Sequence, residues 1–350
     1  MLRLSLIHNS AVLDSSSITD AATVGAGAVA PAVSLIVITR NHERYIEQAL
    51  DSVASQTLRG FHVVIIDDCS TDGNVERIRA WLAHAPVSAE LIANTRNLGM
   101  CRSRNLALSR CRGEFVCALS GDDYYEPDRL ERQLQFFRMQ DRSVAAVFGR
   151  TRVVDERGHE LGVWFEGVPD VPEGRIFERL LQRNFIPAPA VMVRRAAIDA
   201  VGGYDESLFF EDYDMWLRIA ERYAFRYQPH IVSNYRLLES GASRNPEYWG
   251  PMNESRVRIL LKWFGYSDAT DDVVIAAAWK FALSAFAADP DLGRTALQRV
   301  YECRPTPWGR AVLLAASLRD SHVVASRAFR FVQRRRAQGR RSPNGRVLLP

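Results

Sequence analysis

CRGEFVCALSGDDYYEPDRL, residues 111–130, carries an apolar run, FVCAL at 115–119, that stops on Ser120, Gly121 and two adjacent carboxylates, Asp122 and Asp123. An apolar strand ending in acidic turn residues, followed by the helical pattern PDRLERQLQFFRM, reads as a strand–helix unit. In open α/β sheets, ligands bind at the carboxyl edge of such strands. Carboxylate oxygens on that edge suit a hard divalent cation, and a cation there suits a phosphorylated ligand. The blander alternative is that Asp, Pro and Tyr gather wherever a strand turns into a helix.

Outward from this unit the chain repeats the same alternation. SLIVI (34–38), HVVII (62–66), ELIA (90–93) and VAAVF (144–148) join FVCAL as strands. ERYIEQALDSVAS places Tyr45, Ile46, Ala49, Leu50 and Val53 on one helical face, as PDRLERQLQFFRM does Leu130, Leu134 and Phe137. Strands alternating with amphipathic helices predict an α/β fold with a mostly parallel sheet flanked by helices. Past about residue 250 no strand pattern persists, which predicts a helical C-terminal extension over 251–335 and a basic tail over 336–350. Residues 1–30, rich in Ser, Ala and Gly from residue 9 and closed by Pro31, are expected to form a flexible leader, leaving 31–250 as the main domain. GAGAVA at 25–30 fits the glycine fingerprint of dinucleotide sites, but it precedes a strand instead of following one and carries no weight.

At 350 residues and 47% apolar, the chain can bury a sizeable core. Its formal charge of +4 hides an asymmetry: residues 321–350 hold eight arginines and no Asp or Glu, so residues 1–320 are net −4. Cys69, Cys101, Cys111, Cys117 and Cys303 form no CxxC pair and have no histidine at ligand spacing. This argues against structural zinc or a disulfide framework and for a reducing, cytoplasmic setting. His42, His62 and the remaining histidines have no partners at metal spacing and read as structural or exposed. The longest apolar run, VVIAAAWKFALSAFAA at 273–288, is interrupted by Lys280 and falls short of the roughly 20 residues that span a bilayer, so it reads as a buried helix. MLRLSLIHNSAVLDSSS, broken by His8 and Asn9, is a poor match to a signal peptide.

A series of ordered blocks in this frame resembles glycosyltransferase family 2. SLIVITRN (34–41) is similar to the family's opening strand and turn, YIEQALDSVASQT (45–57) to its first helix with the SxxxQ signature, and VVIIDDCSTDG (63–73) to its DDxSxD element. NLGMCRSRNLAL (97–108), ALSGDDYYEPDRL (118–130), GGYDESLFFEDYDMWLRI (202–219) and YRLLESGASR (235–244) follow in order. The resemblance covers roughly residues 33–245. It implies the GT-A fold and an inverting transfer of a sugar from a nucleoside diphosphate, most often a UDP-sugar, to a hydroxyl of a glycan or lipid-linked acceptor. Metal assistance and a role in polysaccharide biosynthesis go with it.

By the same resemblance, Asp212 is the general base that takes the acceptor's proton; the alternative for it and Glu211 is capping a first helical turn. Asp67 and Asp68, with Thr39 and Asn41 nearby, are expected to contact the nucleoside, a ligand role falling to at least one of the two aspartates; turn capping is the alternative, and Asp72 is assigned to it. The family's metal block has two carboxylates separated by one residue, and Ser120 stands at the first of these positions. The cation, Mn²⁺ or Mg²⁺, therefore rests on Asp122, diphosphate oxygens and water, with Ser120 or Asp123 assisting, and binds weakly without nucleotide. Arg104, on a helix beginning near Gly99, is expected at the nucleobase or a phosphate, or else on the solvated surface. Tyr235 and Arg236 fall where the family has a flexible loop near the diphosphate. Leu238 stands where a histidine is common, and Ile38 and Arg40 where proline and an aromatic are usual.

SHVVASRAFRFVQRRRAQGRR, from Ser321 on, sets Val324, Ala328, Phe331 and Val332 on one face among arginines. That pattern suits either an anionic membrane surface, making the enzyme peripheral at its inner face, or a docking helix with a solvated tail. No base-stacking aromatic motif accompanies the charge, so nucleic acid is not an expected partner. Two other classes compete. A sugar nucleotidyltransferase needs a glycine-rich basic loop where this chain has TRNHER (39–44), and a decayed nucleotide-sugar-binding protein accounts for Ser120.

Overall fold

The computed structural model describes residues 17–22, 31–210 and 212–318. Its strands are β1 (Ser17–Ala22), β2 (Val33–Thr39), β3 (His62–Asp67), β4 (Ser88–Asn94), β5 (Phe115–Ser120), β6 (Tyr124–Tyr125), β7 (Val144–Val154), β8 (Glu160–Val163), β9 (Val191–Arg194) and β10 (Ala224–Arg236). Its helices are α1 (Ile46–Ala54), α2 (Asn74–Leu82), α3 (Met100–Arg110), α4 (Arg129–Arg138), α5 (Phe177–Gln182), α6 (Arg195–Ala200), α7 (Asp212–Arg222), α8 (Trp249–Leu261), α9 (Asp268–Ala288), α10 (Pro290–Cys303) and α11 (Pro307–Ser317).

Every strand drawn from the sequence is a strand, and the sheet is mixed. β4, β3, β2 and β5 run parallel. β9 then joins β5 and β7 in antiparallel fashion, β10 lies parallel to β7, and β6 pairs with the far edge of β10. Side chains alternate across the sheet as the period of two requires. Ile36, Ile38, Val64 and Ile66 enter one core, while Leu35, Val37, Val63 and Ile65 enter the other beside Ile46, Leu50 and Leu130 of α1 and α4. Both faces are covered, the usual condition of a parallel sheet.

Two features differ from the sequence reading. Ser17–Ala22, expected within a flexible leader, adds β1 to the outer edge of β4, because an uncovered edge strand offers a row of unpaired backbone groups. The change of pattern at residue 250 is a change of element type, not a break in packing: Val257, Leu260, Val274, Ala278 and Leu297 of α8, α9 and α10 lie in the same core as Ile36 and Val64. The run at 273–288 is part of α9, as expected, with Val274, Ala278 and Ala282 buried and Lys280 outside. Among the described residues no helix is long and apolar enough to cross a membrane. GAGAVA, Glu211 and the arginine-rich segment from Ser321 lie outside the described residues.

Register positions the site. Thr39 pairs with Asp67 and Ile38 with Ser120, so the ends of β3, β2 and β5 form one row at the carboxyl edge. The SxxxQ signature braces this row from behind. Ser52 Oγ accepts from Tyr125 N (3.0 Å), while the Gln56 amide donates to Glu126 O (2.8 Å) and accepts from Leu130 N (3.0 Å).

Candidate active site

The β3 end is closed by its own turn. Asp67 Oδ1 accepts from Ser70 N (2.8 Å), and Oδ2 from Ser70 Oγ (2.5 Å) and Asn74 Nδ2 (2.7 Å). Asp68 Oδ1 accepts from Asn94 Nδ2 (3.0 Å) and Leu98 N (2.8 Å), and Oδ2 from Gly99 N (2.9 Å). Both carboxylates are buried. Of about four lone-pair sites on each, three are taken, so the expectation that one of them meets a ligand directly encounters a geometry already committed to holding backbone. What these aspartates position is the left-handed turn at Cys69 (φ 62°) and, through Ser70 and Thr71, the left-handed Asn41 (φ 57°). Ser70 Oγ accepts from Asn41 N (2.8 Å), and Asn41 Oδ1 accepts from Thr71 N (2.8 Å). Asn41 is exposed at the edge, and Thr39 is buried behind it against Asn74. Asp72 caps as expected, accepting from Asn74 N (3.1 Å) and Glu43 N (3.0 Å).

The β5 end is open by comparison. Gly121 donates its N–H to Ile38 O (2.9 Å), and a Cβ on it would meet Thr39 Oγ1 at 2.4 Å and His42 Nδ1 at 3.0 Å. Only glycine lets the two strand ends approach so closely. Asp122 is thereby set against the loop after β2: Oδ1 accepts the Ser120 hydroxyl and lies 3.7 Å from His42 Nδ1, and the two side chains keep 13% and 20% exposure. Asp123 turns the other way. It is buried, and its Oδ1 accepts from Arg236 N (2.8 Å). Burial and the neighbouring Asp122 charge push its carboxyl well above the usual range, against the pull of the Arg236 amide and guanidinium. The expectation of a ligand contact from Asp123 meets an inward-facing carboxyl.

Asp212 opens α7, where Oδ2 accepts from Asn184 Nδ2 (3.2 Å) and Oδ1 from Tyr213 N (2.7 Å). Behind it Arg256 of α8 is stacked on Phe210 (5.5 Å) and Phe281 (5.3 Å). Burial lowers the pKa of this guanidinium, and the Asp212 charge opposes that fall. Tyr235, near the end of β10, shares a hydrogen bond with the Ser243 hydroxyl (3.1 Å). Its phenol is pushed up to about 12, first by burial and then by Asp123, with Asp122 and Asp212 adding to the same field.

Two arginines stand apart from the sequence reading. Arg104 is buried on α3, over the Tyr204 ring at 5.8 Å, so the solvated alternative does not apply to it. Arg236 lies at the end of β10, not in a loop, and its donors go to Asp122 O (3.0 Å), Asp155 O (3.2 Å), Glu156 O (3.0 Å) and Gln48 Oε1 (2.6 Å). It fastens the β5 turn to β10. His42, Asn184 and Arg256 were not selected from sequence. His42 and Arg256 sit far along the chain from their carboxylates, and the one available hint was the Ser120 substitution, which leaves a cation one ligand short.

Among the described residues no group of three or more His, Cys, Asp or Glu is placed to hold a metal ion by itself. The donor set of Asp122, the Ser120 hydroxyl and the His42 imidazole nevertheless fits a divalent cation that draws the rest of its shell from phosphate oxygens and water.

Comparison with known proteins agrees with this architecture. The profile of Glycosyl transferase family 2 matches residues 34–202, from β2 to just past α6. EpsE of Bacillus subtilis (strain 168) is 30% identical over 197 residues, 55% of this chain and 67% of EpsE. Residues 1–349 of S. aureus TarS, solved in complex with UDP-GlcNAc, superpose with a TM-score of 0.58 at 20% identity over 87% of this chain and 91% of that one. The mannosyltransferase PcManGT from Pyrobaculum calidifontis, solved with GDP-Man and Mn²⁺, does so with a TM-score of 0.55 at 20% identity, covering 86% and 85%. Coverage is uneven, since the chain spans 54% of a longer TarS structure and 35% of an Escherichia coli chondroitin synthase. The two solved structures establish the shared GT-A fold, while the profile and EpsE carry the sequence relationship: this chain is a glycosyltransferase and belongs to glycosyl transferase family 2.

Proposed function

We propose that this enzyme transfers a sugar, with inversion, from a nucleoside diphosphate donor of the UDP-sugar type to a hydroxyl of a glycan or lipid-linked acceptor, assisted by a divalent cation. One observation carries the reading: at the carboxyl edge of the sheet Asp122 keeps an accessible carboxylate beside the Ser120 hydroxyl and the His42 imidazole, while the adjacent Asp123 is turned inward onto Arg236 N. TarS with UDP-GlcNAc and PcManGT with GDP-Man and Mn²⁺ support the donor and cation classes by sharing the fold.

In this reading the exposed Asn41 and the backbone of Cys69–Thr71 receive the nucleoside, and Asp67 and Asp68 hold that backbone in shape. Thr39 supports the same turn through Asn74, and Arg104 contributes from its buried place on α3 over the Tyr204 ring. Asp122 presents the open carboxylate to the diphosphate side, while Asp123 and Arg236 fix the turn that carries it. A bound Mn²⁺ or Mg²⁺ would neutralise charge developing on the departing diphosphate. Asp212, kept in place by Asn184, accepts the proton of the attacking hydroxyl.

Incubation with a panel of UDP-, GDP- and dTDP-sugars and Mn²⁺ tests this. The matching donor stabilises the fold by about 3 kcal/mol at a hundredfold excess over its Kd and slowly releases nucleoside diphosphate. Asp212→Asn lowers turnover by about 10²- to 10⁴-fold with donor Kd within about twofold. Undiminished turnover in this variant excludes Asp212 as the base, and a panel without any stabilising donor excludes the donor class.

A further inference from the structure

His42 has no metal-spaced partner in sequence, yet the fold places its Nδ1 at 3.7 Å from Asp122 Oδ1 and 3.4 Å from Thr39 Oγ1. The 3.7 Å separation is too long for a hydrogen bond. It does suit two ligands of one cation, because donors each about 2.1 Å from a metal stand about 3 Å apart at a right angle and about 4 Å apart when opposite. The approach is built in. The bare Gly121 is the point at which the end of β5 presses on this imidazole, and the Ser120 hydroxyl donates to the same Asp122 oxygen.

We propose that His42 Nδ1 is the second protein ligand of the divalent cation, joining Asp122 and standing in for the carboxylate that Ser120 replaces. This rests on the cation assigned under the proposed function and extends it to metal choice. An imidazole nitrogen favours Mn²⁺ and later first-row ions, whereas an all-oxygen shell suits Mg²⁺. A chain that exchanges a carboxylate for His42 therefore prefers Mn²⁺.

The full-length protein is mixed with Mn²⁺ and inorganic pyrophosphate, which carries no nitrogen, and examined by electron spin echo modulation and by titration of free Mn²⁺. The expected wild-type signal contains a directly coordinated ¹⁴N. In His42→Ala that nitrogen signal disappears and Mn²⁺ affinity falls about tenfold or more, with the melting temperature unchanged. Adding Ser120→Asp to His42→Ala restores affinity but not the nitrogen signal. Wild-type binding without a nitrogen signal, or a signal that survives His42→Ala, overturns the His42 assignment alone. Absence of any wild-type Mn²⁺ binding with pyrophosphate and with UDP overturns the cation reading together with it.

Discussion

Asp67–Asp68 at the end of β3 and Asp122–Asp123 at the end of β5 look alike in sequence and are opposites in the structure. The first pair is buried and receives three hydrogen bonds per carboxylate from Ser70, Asn74, Asn94, Leu98 and Gly99. In the second pair, Asp123 is turned inward onto Arg236 N, and Asp122 stays accessible beside Ser120 and His42. A carboxylate whose lone pairs are filled by the protein is a bracket for backbone, whereas an accessible one with unfilled lone pairs has capacity for a ligand. Strand-end aspartates thus divide into frame and candidate site by the donors around them, not by the motif that announces them.

The largest effect that can break this division is on turnover. Asp122→Asn keeps the volume and an acceptor for Ser120 but removes the charge, so we expect kcat/KM to fall about 10²- to 10³-fold while stability changes by no more than about 0.5 kcal/mol. Thermal melting alongside a donor-hydrolysis assay reads both quantities; a large loss of stability would move Asp122 into the frame. Asp67→Asn is the reverse experiment. Its amide sets an NH₂ against the donors of Ser70 or Asn74, and an unmatched buried donor costs about 1–3 kcal/mol. The expected outcome is a lower urea midpoint with turnover per folded molecule much less affected. A variant of wild-type stability that has lost donor binding would show that Asp67 meets the ligand after all.

The same contrast explains what could be read in the sequence. The strands over 34–38, 62–66, 90–93, 115–119 and 144–148 were legible because both faces of the sheet are buried, and burial on both faces writes continuous β-branched runs. β10 was not, because AFRYQPHIVSNYR carries Pro229 and polar residues at partly exposed positions, and its pairing with β7 slips at Tyr227/Ile231 and Ile231/Ser233. β9, four residues long, is too short to show a period. The carboxylates of the site were legible as residues at an edge, but their state was not. Whether Asp68 is open depends on Leu98 and Gly99, and whether Asp122 has a neighbour depends on His42, contacts made only after the sheet is assembled.

A third set of carboxylates sharpens the rule at the smallest scale and joins the sheet domain to its helical extension. Lys262 Nζ, just past α8, lies 2.6 Å from both Asp205 Oδ2 and Asp214 Oδ1, and Asp214 also receives Arg218 Nε at 2.7 Å. Burial opposes ionisation of Asp205, yet Lys262 and the Ser207 hydroxyl and amide hold its carboxyl well below the usual range. These aspartates are saturated, so they should count as frame, and their loss should appear in stability with a definite pH dependence. Because Lys262 is 34% exposed, solvent screening limits its contribution, and Lys262→Met should cost about 1 kcal/mol at pH 7. A folded-state pKa below the unfolded one makes the contribution of Asp205 fully present above about pH 4 and progressively lost as pH falls through the depressed value. Urea unfolding at pH 7 and at successively lower pH should therefore show wild type and variant separated at neutrality and converging in acid, with turnover at pH 7 unchanged. A gap that stays constant down to the acid limit would mean that the lysine acts through its aliphatic stem, and the charge-based account of this joint would fail.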